Sequence, residues 1–515
     1  MAFNAVLLLA GGVLLLLLAV CLPPGPPTCS LIGNLHQIPR TGAHYRFTEW
    51  SKTYGGIFSL KLGPVTAVVI TDRRLVKQLL DKKGNLYSDR PNVYVWSELI
   101  TGGDHLLMMK HGEKWRLLRR LIHSHFNEAR VAREHVRLVE AEAAQMLHDV
   151  LMAPGDLMMH PKRSSNSIIN SLVYGIRTPS VCTPHMVQLY TITEEWLQVM
   201  EMGARPLVDM FPFIKWVPEV LLGGWKTRSR SLHKLTVALH GDMMKRVRKR
   251  RETGRHTCFL DAVLNSIESA SFTLSDNELM LLAGVLIEGG SDTSAAFLLA
   301  FLQAMATHPH VQRRAHVEID ALLGCSSARS PRWDDYDGLP YVTQIVKETM
   351  RWLSAMSLGI SRATTADDMV DGYNIPKGTI VILNVWGLHH PPHDATAFVF
   401  DPERFVNQTA PAATYAASGD YATRDHYSYG AGRRLCPGIH LAERNLFIGV
   451  AKLLWAFDFE ADGEIDTDSR TGYSQGILHC AKPFSCKVRV RSKDVRDVVL
   501  SEWVKAKAVV AEFDT

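Results

Sequence analysis

The first 22 residues, MAFNAVLLLAGGVLLLLLAVCL, carry no charged side chain. About 20 apolar residues are enough to cross a bilayer core as a helix. PPGPP at 23–27 cannot continue that helix, because proline lacks an N–H and restricts the residue before it. A cleaved signal would begin with basic residues and hold a shorter apolar stretch. The pattern therefore predicts a transmembrane anchor over 1–22, a proline-rich linker over 23–30 and one folded domain over 31–515. Arg40, Arg46 and Lys52 follow the linker, which places that domain on the cytosolic side.

Beyond the linker, GGIFSLKLGPVTAVVITD (55–72) holds two apolar, β-branched runs broken by Gly63-Pro64, a hairpin signal. From there to about residue 330 helical spacing dominates. In HPHVQRRAHVEIDALLG, Ala315, Ile319, Leu322 and Leu323 recur on one helix face and Gly324 closes the pattern. LMLLAGVLI (279–287) is apolar enough to be buried on both sides, and IHLAERNLFIGVAKLLWAF (439–457) reads as a long core helix. Strand-like runs return in GTIVILNVW (378–386) and CKVRVR (486–491). The expected fold class is mainly α with small β-sheets. The stretch 407–425, rich in Ala, Thr, Ser and Gly, is expected to be a mobile surface loop.

Composition narrows the function classes. With 46% hydrophobic and 21% charged residues the chain is ordinary globular protein, and a net charge of +5 over 515 residues is too small to point to nucleic acid. The run KRVRKRR (245–251) reads as the solvated end of a helix. Eight dispersed cysteines without a CxxC pair indicate reduced thiols rather than a disulfide framework or a zinc site. His123 with His125, and His308 with His310, stand two apart and so face different ways on a helix; they are expected at the surface.

One stretch stands apart. YSYGAGRRLCPG (427–438) sets Cys436 among three glycines, two arginines and a proline. Arg433 and Arg434 would lower the thiol pKa, and the free N–H groups of the helix starting just downstream would favour a sulfur anion. Glycines at 430, 432 and 438 permit backbone turns closed to other residues and let a flat ligand approach. A thiolate aimed at a large planar cofactor fits this pattern.

Tyr429, Gly432, Arg434, Cys436 and Gly438 resemble the F-x-x-G-x-R-x-C-x-G loop of the cytochrome P450 family, with Tyr in place of Phe. GGSDTS (289–294), Glu348 and Arg351 in KETMRW, DPERF (401–405), and Trp115 and Arg119 in KWRLLR are similar to further motifs of that family and fall in its order. YSDRP (87–91) and PPGPP also fit its microsomal members, and the resemblance spans essentially the whole chain. It implies haem b with Cys436 as axial iron ligand, and Trp115, Arg119, Arg362 and Arg434 on the haem propionates. It also implies an ion network of Glu348, Arg351 and Arg404 bracing the cysteine loop. Asp292 and Thr293 would deliver protons to bound dioxygen, in a helix that Gly289 and Gly290 weaken and open.

The implied activity is oxidation of a small lipophilic substrate with dioxygen. Its electrons would come from NADPH through NADPH-cytochrome P450 reductase, with cytochrome b5 as a candidate second donor. The implied location is the endoplasmic-reticulum membrane, with a single-pass anchor and a cytosolic catalytic domain. The resemblance is strongest with fungal members that tailor secondary metabolites or oxidise small aromatics. Two alternatives stay open: a reductase-independent isomerase or dehydratase, and a haem-binding sensor without turnover. Departures fall around the pocket, with Ser354 and Ser361 where prolines are frequent and HHPPHD (389–394) in place of H-R-D-P. Segments 354–360 and 284–287 carry no charge, which suits a neutral, largely apolar substrate. DMFPFIKWVP (209–218) has the composition of a segment partly immersed in membrane.

Overall fold

A computed structural model describes residues 21–513 apart from 202, 204–205, 255–257, 270–271 and 325–328. The anchor expected over 1–22 lies, but for its last two residues, outside the described residues.

The longer helices, in chain order, are α1 (Ala43–Tyr54), α2 (Glu113–Phe126), α3 (Val136–Met152), α4 (His160–Tyr174), α5 (Pro184–Met200) and α6 (Trp225–Glu252). They continue with α7 (Phe259–Glu268), α8 (Asp276–Thr307), α9 (Pro309–Leu323), α10 (Pro340–Trp352), α11 (Ile439–Ala456) and α12 (Lys493–Val510). The helix α8 starts at a capping box: Ser275 Oγ accepts from the Glu278 N–H at 3.2 Å while Glu278 Oε2 accepts from the Ser275 N–H at 2.6 Å. Its apolar residues are buried around most of its circumference, as LMLLAGVLI predicts, and it runs through the core against α4, α11 and α6.

The sheets are small. The predicted hairpin forms from β1 (Ile57–Leu62) and β2 (Val65–Ile70), with Leu62 opposite Val65 and Gly63 at φ +61° in the turn. Strand β3 (Arg362–Ala363) pairs antiparallel with β6 (Ile380–Leu383), and β6 pairs parallel with β2, Ala67 facing Ile380. Two further pairs, β4 (Asp368–Val370) with β5 (Tyr373–Ile375) and β7 (Phe457–Ala461) with β8 (Cys486–Val490), stand apart. Mainly α with small sheets is the observed architecture.

Four expectations are corrected. The helix α8 is unbroken at Gly289 and Gly290. Gly290 serves close packing instead, since a Cβ there would stand 2.7 Å from Ile169 of α4. Second, 407–425 contains a short helix, Ala412–Ala417, and ends in the buried Arg424 and Asp425. Third, His125 is buried between His135 and Phe259, whereas His123 on the next face is exposed. Fourth, the basic run is not wholly solvated: Arg250 is buried and paired with Asp261 at 2.8 Å.

Candidate functional site

The cysteine loop is shaped by two glycines. Gly430 and Gly432 take φ +74° and +62°, and a Cβ on Gly432 would stand 1.9 Å from the Leu80 carbonyl oxygen. Only glycine fits at 432. Gly438 is different: its φ of −94° is open to any residue, and a Cβ there would meet nothing within 4 Å. Its use is the open space beside it rather than the turn. The Cys436 N–H donates to the Tyr429 carbonyl at 2.9 Å, fixing the sulfur just ahead of α11.

The electrostatics of Cys436 differ from the expectation. Burial pushes its thiol up; the Gly438 N–H and then Arg119 pull the other way. Arg434, expected to do this, instead donates to the carbonyls of Ser88 at 2.9 Å and Met109 at 2.7 Å. Arg433 is exposed. In a folded chain without a metal, desolvation outweighs the neighbouring charge.

Around the loop four arginines converge from distant segments. Arg119 of α2 donates to the Leu435 carbonyl at 2.7 Å, Arg362 of β3 to the Ala431 carbonyl at 2.7 Å, and Arg434 lies 4.3 Å from the Trp115 ring. The fourth, Arg90, donates to the carbonyls of Leu107, Ile360 and Ser361 at 2.7, 2.7 and 2.6 Å. Burial and then the charges of Arg434, Arg362 and Arg119 hold Arg90 well below the usual guanidinium range. Burial brings Arg434 down to about 9 and Arg362 to about 10. Guanidinium groups stay protonated in proteins, so these shifts describe buried positive charge that Asp89 and Asp81 only partly offset. Arg362 Nη1 has no hydrogen-bond partner among the described residues. Trp115, Arg119, Arg362 and Arg434 are thus brought together as expected. Arg90 was missed, although it stands in the quoted YSDRP.

The ion network has the expected members. Buried Glu348 receives Arg351 Nε at 2.6 Å and Nη2 at 2.7 Å, with Arg404 Nε at 3.7 Å. Burial raises the Glu348 carboxyl against the pull of Arg351. Arg351 also donates to the carbonyls of Ala397 at 2.7 Å and His389 at 3.1 Å. The His389 ring then accepts from the Tyr427 N–H at 2.8 Å, which links network to loop. A second brace, Lys347 to Asp425 at 2.7 Å, is fully buried. Its partners are 78 residues apart, so no local spacing announces it.

On α8, the Thr293 hydroxyl donates to the Gly289 carbonyl at 2.6 Å. Burial pushes the neighbouring Asp292 carboxyl up to about 7 against the charge of Lys162. Gly289 is exposed in the middle of a core helix, and a Cβ there would meet nothing within 4 Å. Open space therefore borders this turn. One turn earlier Glu288 meets His105 Nε2 at 3.0 Å. This carboxylate directly follows the segment 284–287, whose lack of charge suggested an apolar lining.

The residues fit the haem implied by the resemblance. Arginines whose charge is only partly offset stand ready for two carboxylates, open space adjoins Gly289 and Gly438, and a sulfur lies in the loop that the arginines hold.

Comparisons with known proteins agree. The family profile described as cytochrome P450 matches residues 23–488. The chain is 50% identical over 506 residues to cytochrome P450 monooxygenase macC of Penicillium terrestre, covering 95% of this chain and 93% of the relative. It is likewise 50% identical over 497 residues to cytochrome P450 monooxygenase patI of Aspergillus clavatus, covering 96% and 93%. A zebrafish cytochrome P450 solved with abiraterone shares the fold at TM-score 0.69 and 23% identity, covering 88% of this chain and all of that one.

Proposed function

Because the chain belongs to the cytochrome P450 family and is a monooxygenase of that family, we propose that Cys436 is the axial ligand of its haem and that Arg90, Arg119, Arg362, Arg434 and Trp115 hold the propionates. One observation carries this reading: a cluster of arginines whose charge Asp89 and Asp81 only partly offset, two of them donating to the carbonyls of the loop that holds Cys436. Haem bound there supplies the activation and reductive cleavage of dioxygen.

The protein's own groups then divide the work. Glu348, Arg351 and His389 keep the cysteine loop in register, so the sulfur is placed before the cofactor arrives. Thr293 spends its proton on Gly289, which leaves its oxygen lone pairs to accept from a water in the open space. Asp292, with a carboxyl near neutrality, exchanges protons at working pH and passes them to that water. The open space beside Gly289 receives a small lipophilic molecule. Electrons arrive from NADPH through a membrane-bound reductase, with cytochrome b5 as a second donor, and the anchor over 1–22 holds the domain at the endoplasmic-reticulum membrane facing the cytosol. Exposed Phe213 and Trp216 suit partial immersion of 209–218. Relatives named as fungal monooxygenases support a place in the biosynthesis of secondary metabolites.

The test is the difference spectrum of the reduced, CO-bound protein for wild type and Cys436→Ser. A thiolate-type band is expected from the first and absent from the second; the same band in both would remove Cys436 as ligand. NADPH- and reductase-dependent product separates a monooxygenase from a haem isomerase or a sensor.

A further inference from the structure

Directly before Gly289, α8 carries one polar cluster that the proton-delivery scheme does not use. Glu288 lies four residues before Asp292, on nearly the same side of the helix. His105 Nε2 stands 3.0 Å from its Oε2 and His240 Nε2 stands 3.8 Å from its Oε1. The Tyr174 hydroxyl stands 3.1 Å from His240 Nδ1. Gly284 makes the arrangement possible, since a Cβ there would stand 3.0 Å from His240 Nε2. The cluster is therefore built from four separate segments.

The cluster is also incomplete. Both histidine side chains are 1% exposed, yet Glu288 keeps 20%. Four buried atoms have no hydrogen-bond partner among the described residues: Glu288 Oε1 and His240 Nε2, which face each other at 3.8 Å, His105 Nδ1, and Nε1 of Trp96, whose ring lies 5.7 Å from that of His105. Buried polar groups are almost always satisfied, and each one left unmet is costly. Burial alone would raise the Glu288 carboxyl, but His105 and then His240 outweigh it and hold it down to about 2. An ionised carboxylate only accepts hydrogen bonds and offers about four lone-pair sites. His105 fills one of these and His240 approaches another, and the side chain keeps 20% exposure, so a donor can meet a remaining site.

We propose that Glu288, positioned by His105 and His240, is the specificity-determining acceptor of the open space beside Gly289 and selects substrates that carry a hydroxyl group. This rests on the monooxygenase reading, because that space is taken to be the substrate side. It refines the apolar expectation: the body of the substrate is lipophilic, but one O–H is required. A hydrogen bond to a charged acceptor favours the hydroxyl-bearing member of a matched pair by roughly ten- to a hundredfold.

The test is calorimetric titration of the haem-loaded full-length protein with two matched pairs, 4-ethylphenol against ethylbenzene and cyclohexylmethanol against methylcyclohexane. Wild type should bind the hydroxyl member of each pair at least about tenfold more tightly. In Glu288→Gln and Glu288→Leu that preference should fall below about threefold, with the hydrocarbon affinities held. Equal or absent binding of both members by wild type overturns the proposal, because the open sites then hold water only. A preference that survives in the variants, or affinities that fall together for all four probes, overturns it as well. If the leucine variant takes up no haem, the glutamine variant decides alone. The CO-bound spectrum is recorded on each sample: its failure in wild type would sink the monooxygenase reading, whereas a normal spectrum with no hydroxyl preference sinks only this one.

Discussion

The ring of His389 accepts the backbone N–H of Tyr427 at 2.8 Å while its other nitrogen meets the Ser354 hydroxyl at 2.7 Å. Arg351 donates to the carbonyl of the same histidine. One residue thus connects, through its carbonyl on one side and its ring on the other, the Glu348–Arg351 pair to the first residue of the cysteine loop.

Replacing His389 with alanine should strand the Tyr427 N–H and the Ser354 hydroxyl in a dry interior. Each stranded group costs about 1–3 kcal/mol. The expected result is a lower unfolding midpoint and haem that is lost on dilution, read by thermal denaturation and by the Soret band after gel filtration. Unchanged haem retention would show that the loop holds its shape without this link.

Arg362 should matter to the cofactor more than to the fold. Its charge is buried near Arg90 and Arg434, with Asp81 as a partial offset, and Nη1 has no hydrogen-bond partner among the described residues. Arg362→Met should change the stability of the haem-free protein little, because removing a buried, only partly offset charge counters the loss of the bond to the Ala431 carbonyl. Haem affinity should fall, measured by transfer of haem to apomyoglobin. A destabilised apoprotein with unchanged affinity would reverse the assignment.

Thr293→Ala removes a hydroxyl that satisfies only the Gly289 carbonyl, so the fold should tolerate it. Product per NADPH should fall and released peroxide should rise, since positioned proton transfer contributes about 10²–10⁴-fold. Asp292→Asn should also flatten the pH dependence of coupling around 7, where the native carboxyl titrates. If coupling is unchanged in both variants, protons travel by another route.

Acid should unfold the protein through buried histidines. Burial holds His479 and His426 down to about 4 and His390 to about 3. The unfolded chain takes up protons near 6.5 and the folded one only nearer 3–4. Their neutral forms therefore stabilise the fold above pH 6.5, and that contribution is lost as pH falls toward the folded values. Each residue costs up to about 1.4 kcal/mol per pH unit in that window. Urea midpoints measured at pH 7 and pH 5 test this; replacing His390 with Phe should shrink the difference.

Local chemistry explains which features the sequence disclosed. The Gly63-Pro64 hairpin depends on adjacent residues, and Glu348 with Arg351 needs only helical spacing. The cysteine loop was legible because a tight turn beside a sulfur restricts every position in it. Arg90, His389 and the Lys347–Asp425 brace were hidden because their partners lie far along the chain. The histidine pair misled for a geometric reason: two residues on a helix differ by about 200°, so His123 can face water while His125 faces Phe259. Gly289 and Gly290 misled because low helix propensity looks the same whether a glycine serves flexibility or close packing.

Arg434 donates to the carbonyl of Ser88 across 346 positions of sequence, Arg119 reaches Leu435 across 316, and strand β2 takes its parallel partner from residues 380–383. Few contacts could be less local, and such contacts are the slow ones to form. During synthesis, Arg90 and Arg119 leave the ribosome long before the segments that surround them. The cation cluster cannot close, nor haem be captured, until nearly the whole chain has been made. The nascent protein thus passes most of its time on the ribosome without the site, and cofactor supply matters at the end of translation rather than during it.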